Sequence, residues 1–113
     1  MAAITQTTLR GSNGPVTITR TTLTASDTLV YTAGATLLFY NTTASPVDVT
    51  IDGSASTAIY PDGFGGPVHV YAGKVITVGA SETVAIKLDT ITAFLAGTIS
   101  VTGGTGIVAH LFN

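Results

Sequence analysis

From Thr36 to Asp52 the chain reads "TLLFYNTTASPVDVTID", and its apolar residues recur with a period of two. Val47, Val49 and Ile51 fall on one side of an extended backbone, while Asp48 and Thr50 fall on the other, as in a half-buried β-strand. Residues 36–41 carry Leu37 and Phe39 on one face and Leu38 and Tyr40 on the other, which predicts a central strand covered on both sides. Pro46 opens the strand 46–52, which opposes 36–41, at a point where a missing N–H does least harm. Asn41–Ser45 form the connection, and Asp52-Gly53 supplies turn chemistry.

The same grammar recurs along the chain. Strand patterns are read over 15–24, 28–32, 68–72, 74–78, 83–88, 98–102 and 106–112, with a turn at Ala25-Ser26-Asp27 and a hairpin over Gly103-Gly104-Thr105. Threonine fills many of these strands, because its branched Cβ favours extended backbone and its hydroxyl tolerates water. One segment departs from period two. In "DTITAFLAG", residues 89–97, Ile91, Phe94 and Leu95 have helical spacing; Asp89 is a candidate N-cap and Gly97 a candidate stop. About eight strands at spacings near ten residues predict an all-β, single-domain antiparallel β-sandwich, jelly-roll or Ig-like, with one short helical turn near residues 89–96.

Composition narrows the function classes. A chain of 113 residues suits one domain, and it has no cysteine for disulfides or thiolate metal sites. Charged residues make up 9% of it, against about 25% in ordinary domains, and the net charge is −2. Arg10, Arg20, Lys74 and Lys87 form no basic stripe, so nucleic-acid binding lacks its electrostatic footprint. No apolar run is long enough for a membrane helix. The start "MAAITQTTLRG" has neither a basic nor an apolar signal region, so synthesis in the cytoplasm is expected. A surface of Thr, Ser, Gly, Ala and Asn offers little charge repulsion against assembly.

Catalytic and metal-binding patterns are sparse. No G-x-S-x-G elbow is present, and His69 and His110 each sit within a strand pattern. Asp48, Asp52 and Asp62 are oxygen ligands without EF-hand spacing, and turn roles account for Asp52 and Asp62. "GGTGIV" lacks the lysine of a phosphate loop. Asn41-Thr42-Thr43 matches the N-glycosylation pattern by composition alone. No enzyme activity, cofactor or metal is expected.

Binding candidates lie elsewhere. Phe64, in the glycine-flanked loop "DGFGGP", is either a docking knob or folded back over the core. Tyr60, Phe64 and Tyr71 are candidates for a sugar-stacking platform, with core packing the commoner fate for two of the three. Residues 1–14 are polar, end in "GSNG" and precede the first firm strand. They read as an N-terminal arm ahead of a β-sandwich domain at 15–113, either reaching a neighbouring chain or fraying. Removal of residues 2–12 is expected to leave the domain's fold intact. Ile4, Thr5, Leu9, Arg10 and Phe64 are the candidate partner contacts.

The runs 23–53, "LTASDTLVYTAGATLLFYNTTASPVDVTIDG", and 75–112, with "GASETVAIKLD" and "GTISVTGGTG", resemble the small head-decoration and capsid-stabilising proteins of tailed bacteriophages. The resemblance covers about two thirds of the chain and lies in the order of its pieces. It implies a structural virion protein on the outer capsid surface that bridges coat subunits. The partner would be the major capsid protein, and a homo-oligomer, with a trimer favoured, would be expected. The alternative class is a carbohydrate- or receptor-binding β-sandwich module of a phage fibre or cell surface.

Overall fold

The computed structural model describes residues 3–9, 11, 13–55 and 73–113 in full, and the backbone at 58–59 and 68–69. Along the chain run β1 (Gln6–Thr7), β2 (Arg20–Thr22), β3 (Ser26–Leu29), β4 (Thr36–Asn41), β5 (Val47–Gly53), β6 (Ala58–Ile59), β7 (Val68–His69), β8 (Lys74–Val78) and β9 (Thr83–Lys87). A 3-10 helix (Leu88–Phe94), β10 (Ile99–Thr102) and β11 (Ile107–Phe112) complete it. One sheet has the order β2–β11–β4–β9, with β1 sharing the outer edge of β11; the other has the order β3–β10–β5–β8. β6 and β7 pair separately.

From β2 to β5, and again from β8 to β11, each successive strand crosses to the other sheet. That is the connectivity of an eight-stranded jelly roll, so strand order selects this form of the sandwich over the Ig-like one. The core lies between the sheets. Leu37 and Phe39 of β4 and Ile107, Ala109 and Leu111 of β11 are buried from one side; Val49 and Ile51 of β5 and Ile99 and Val101 of β10 are buried from the other. Leu88, Ile91 and Leu95 join the same cluster.

Several local expectations change. β5 opposes β4 across the core, in the other sheet, and β10 and β11 likewise separate where a hairpin is expected. Inward alternation is the same for a hairpin and for an arch between sheets, so the local pattern does not distinguish them. The strand expected over 15–24 is reduced to β2, because β1 already pairs with Leu111 and Phe112 on that edge of β11. β3 begins at Ser26, inside the expected turn, with Asp27 fully buried. Its carboxylate accepts from Thr24 N at 2.8 Å and Thr24 Oγ1 at 2.9 Å, which turns the chain one residue earlier. Asp89 does not cap the helix: Lys87 holds the cap position without a side-chain bond, and Asp89 reaches back to Tyr31 and Gly34. Gly53 ends β5, and the chain turns immediately after it, at Ser54-Ala55. A Cβ there would lie 2.3 Å from the Ala96 carbonyl oxygen, so glycine allows the backbones to touch. The expected strand 68–72 is described only at Val68 and His69.

Asn41 fixes the crossing between β4 and β5. It is fully buried. Its Nδ2 donates to Ser45 O at 2.7 Å and to Val78 O at 3.0 Å, while Oδ1 accepts from Thr43 N at 2.8 Å and Thr43 Oγ1 at 2.7 Å. The amide therefore closes an Asx turn and ties β4 to β8 of the opposite sheet. Replacing it strands buried partners without the amide. Asn41→Ala is expected to lower the free energy of unfolding by about 2–4 kcal/mol in urea titrations. A loss under about 0.5 kcal/mol, the range of an ordinary surface change, would contradict this role.

Candidate interaction surface

The two sheets turn chemically different faces outward. On the β2–β11–β4–β9 sheet, register places Thr22, Val108, Tyr40 and Thr83 in one row and Arg20, His110, Leu38 and Ala85 in the next. A third row holds Phe112, Thr36 and Lys87. Tyr40 is 39% exposed, while Leu38, Val108, His110 and Phe112 are half-buried. The apolar pattern on both faces of β4 therefore reflects one face in the core and one turned outward. Glu82 lies at the margin of this face, with Oε1 bonded to Gly79 N at 2.9 Å.

The β3–β10–β5–β8 sheet presents Ser26, Thr102, Thr50 and Val75 in one row and Thr28, Ser100 and Asp52 in another, with Asp48 beside Thr77. Thr77 Oγ1 donates to Asp48 Oδ1 at 2.6 Å, and Ser100 Oγ donates to Asp52 O at 3.2 Å. Val75, at 52% exposure, is the apolar exception. Hydroxyls and carboxylates dominate here; apolar and cationic side chains dominate the other face.

The segment expected as an arm lies along its own domain. Ala3 bridges in parallel to Thr28, and Ile4 N donates to Thr28 O at 2.8 Å. Ile4 is 5% exposed and belongs to the core cluster. β1 runs parallel to β11, and Leu9 N donates to Asn113 O at 2.7 Å. Residues 3–9 thus pass from the edge of one sheet to the edge of the other. Thr5 is exposed and Leu9 half-buried. Arg10 and Phe64 lie outside the described residues, as do Tyr60 and Tyr71.

A groove of about 490 Å³ opens beside β3, lined by Leu29, Val30, Tyr31, Leu95 and Ile99 among others. Val30 is 77% exposed. At its side the Tyr31 hydroxyl donates to Asp89 Oδ1, and Gly34 N donates to both carboxylate oxygens at 3.1 Å. The Asp89 hydrogen bond raises the Tyr31 pKa above 10.0, with desolvation and repulsion from the carboxylate acting in the same direction.

The remaining candidates are dispersed. His110 stands between Arg20 and Leu38, and its Nδ1 is buried without a hydrogen-bond partner. Only the backbone of His69 is described, and Asp62 lies outside the described residues. Among the described residues, no group of three His, Cys, Asp or Glu is placed to hold a metal ion, and no helix is long and apolar enough to cross a membrane. The Asn41 amide is fully enclosed, which leaves no room for a glycan. The outward face of β4 and β11 was missed in the sequence, although Leu38, Tyr40, Val108 and Phe112 on alternate positions were its signal. Comparisons with protein-family models, curated proteins and solved structures yield no match.

Two outcomes test this geometry. Ile4→Ala should cost about 2–4 kcal/mol in chemical denaturation, because a core side chain is removed. An arm held away from the domain would show no cost. A raised tyrosine pKa stabilises the fold fully below pH 10, and that contribution is lost as pH climbs through the folded value. Thermal melts of the wild type should therefore fall more steeply above pH 10 than those of Tyr31→Phe; parallel curves would dismiss the linkage.

Proposed function

We propose that this chain is a structural virion protein, a decoration or cement protein that binds the outer surface of a bacteriophage head and bridges coat subunits. A jelly roll alone does not carry that reading, since one fold hosts many functions. The observation that carries it is the outward sheet face of Leu38, Tyr40, Val108 and Phe112 on a domain with 9% charged residues. Burying such a face against protein removes apolar area from water and strands few charges. The ordered resemblance of 23–53 and 75–112 to head-decoration proteins supports the same class.

The mechanism is passive. Only an assembled lattice presents neighbouring coat subunits together, so binding stabilises the assembled shell by mass action. Many weak contacts, or a trimer engaging three subunits, raise avidity without a new chemical step. The partner is the major capsid protein, the location is the outer capsid surface, and no reaction is performed.

The test is co-sedimentation of the purified chain with empty expanded heads assembled from the major capsid protein of the same phage. Saturable binding, at a fixed ratio of chain to coat subunit, is expected. A chain that stays in the supernatant with expanded heads, or that binds glycans on an array instead, would overturn the reading and favour the carbohydrate- or receptor-binding class.

A further inference from the structure

Resting on the proposed function, we infer that the outer face of the β2–β11–β4–β9 sheet is the docking face, and that it meets an apolar coat-protein surface rimmed with carboxylates. The domain supplies its own comparison. On the other sheet, the solvent-facing positions of the two central strands are filled by Ser, Thr and Asp, with Val75 apolar on the edge strand; on this one the central strands hold Leu38, Tyr40, Val108 and Phe112 beside His110 and Thr36. Both sheets need strand-forming residues, and threonine meets that need on the other face, so strand propensity does not explain the difference.

Charge adds the partner's character. Arg20 and Lys87 are exposed on the two edge strands of the face; Glu82, on the β8–β9 turn, is bonded to Gly79 N, and Asp89, two residues beyond Lys87, is bonded to Tyr31 and Gly34 N. Asp48 and Asp52 lie on the opposite side of the domain. A surface with carboxylates spaced around an apolar centre complements this pattern, and the rim pairs would steer association and set its salt dependence.

Size and charge also argue against a second copy. Four strands about 4.8 Å apart, read over three rows of side chains, span roughly 400 Å². That is about half the ~800 Å² each partner contributes to a stable standard interface. Two such faces pressed together would also bring Arg20 and Lys87 toward their own copies. Repetition over a lattice suits a small contact of this kind, since avidity compensates for area.

The experiment compares four proteins in head co-sedimentation at two salt concentrations: wild type; Leu38→Thr with Val108→Thr; Arg20→Glu with Lys87→Glu; and, on the opposite face, Asp48→Lys with Val75→Thr. Thermal melts confirm that each is folded; if the Thr pair is not, the charge-reversed pair, at exposed positions, decides alone. At least a tenfold loss of affinity is expected for the first two variants, with the salt dependence of the charge-reversed one inverted because salt then screens a repulsion, and less than a twofold change for the third. Wild-type binding with both face variants unchanged would overturn the docking face while leaving the proposed function in place. No binding by the wild type would overturn both. An oligomer that light scattering detects in the wild type and that Leu38→Thr with Val108→Thr dissolves would assign the face to self-contact and overturn the inference.

Discussion

The jelly roll depends on chain crossings between two sheets, and the crossing at Asn41 shows what a crossing requires. A strand that leaves its sheet abandons ladder partners, and its backbone polar groups need others. At residues 41–45 one buried amide meets most of that need, serving Ser45 O and Thr43 N within the loop and Val78 O in the opposite sheet. Asn41 N itself donates to Glu82 O at 3.0 Å, so the same residue joins the two connections at that end of the sandwich. The Thr24–Asp27 pair performs the corresponding task between β2 and β3, with Gly103 N donating to Ala25 O nearby. Among the described residues the buried polar side chains, Asp27 and Asn41, both stand where the backbone changes sheets.

Period-two alternation made most of the strands and the inward residues legible: Val49, Ile51, Leu37, Phe39, Val101 and Leu111 are buried as that pattern requires. Pairing was not legible. The stretches 36–52 and 98–112 look like hairpins because turn residues separate two alternating runs, yet each pair of strands lies in opposite sheets. The choice rests on long-range contacts and on polar groups such as Asn41, whose role depends on a carbonyl 37 residues away. Gly53 borders the turn its sequence indicates, but its further requirement, the close approach of Ala96, is one no local sequence records.

The candidate surface was partly legible. Low charge and abundant threonine raise the expectation of protein contact without pointing to a face. The double-faced apolar pattern of β4 was visible, but its second face was assigned to a covering layer. In the structure that face is shared with β11, where Val108 and Phe112 continue it across the sheet. Joining the two segments needed the β4–β11 register. The N-terminal segment departs from expectation for the opposite reason: Ile4, a candidate partner contact within a polar stretch, is seated in the domain's own core.

Sheet edges explain where the few charges went. An open edge invites strand addition, and proteins commonly protect edges with lysine or with covering segments. β8 and β9 are edge strands, and they carry Lys74 and Lys87, the chain's two lysines. At the other side β1 and β2 together cover β11, and the Ala3–Thr28 bridge covers β3 at one point. Residues 3–9 therefore act as a strap over both sheets, with a stabilising role independent of any partner. This arrangement opposes uncontrolled edge-to-edge pairing while leaving the flat face of β4 and β11 available. The proposed placement on a lattice would need that separation: association through a defined face, and resistance to association through its edges.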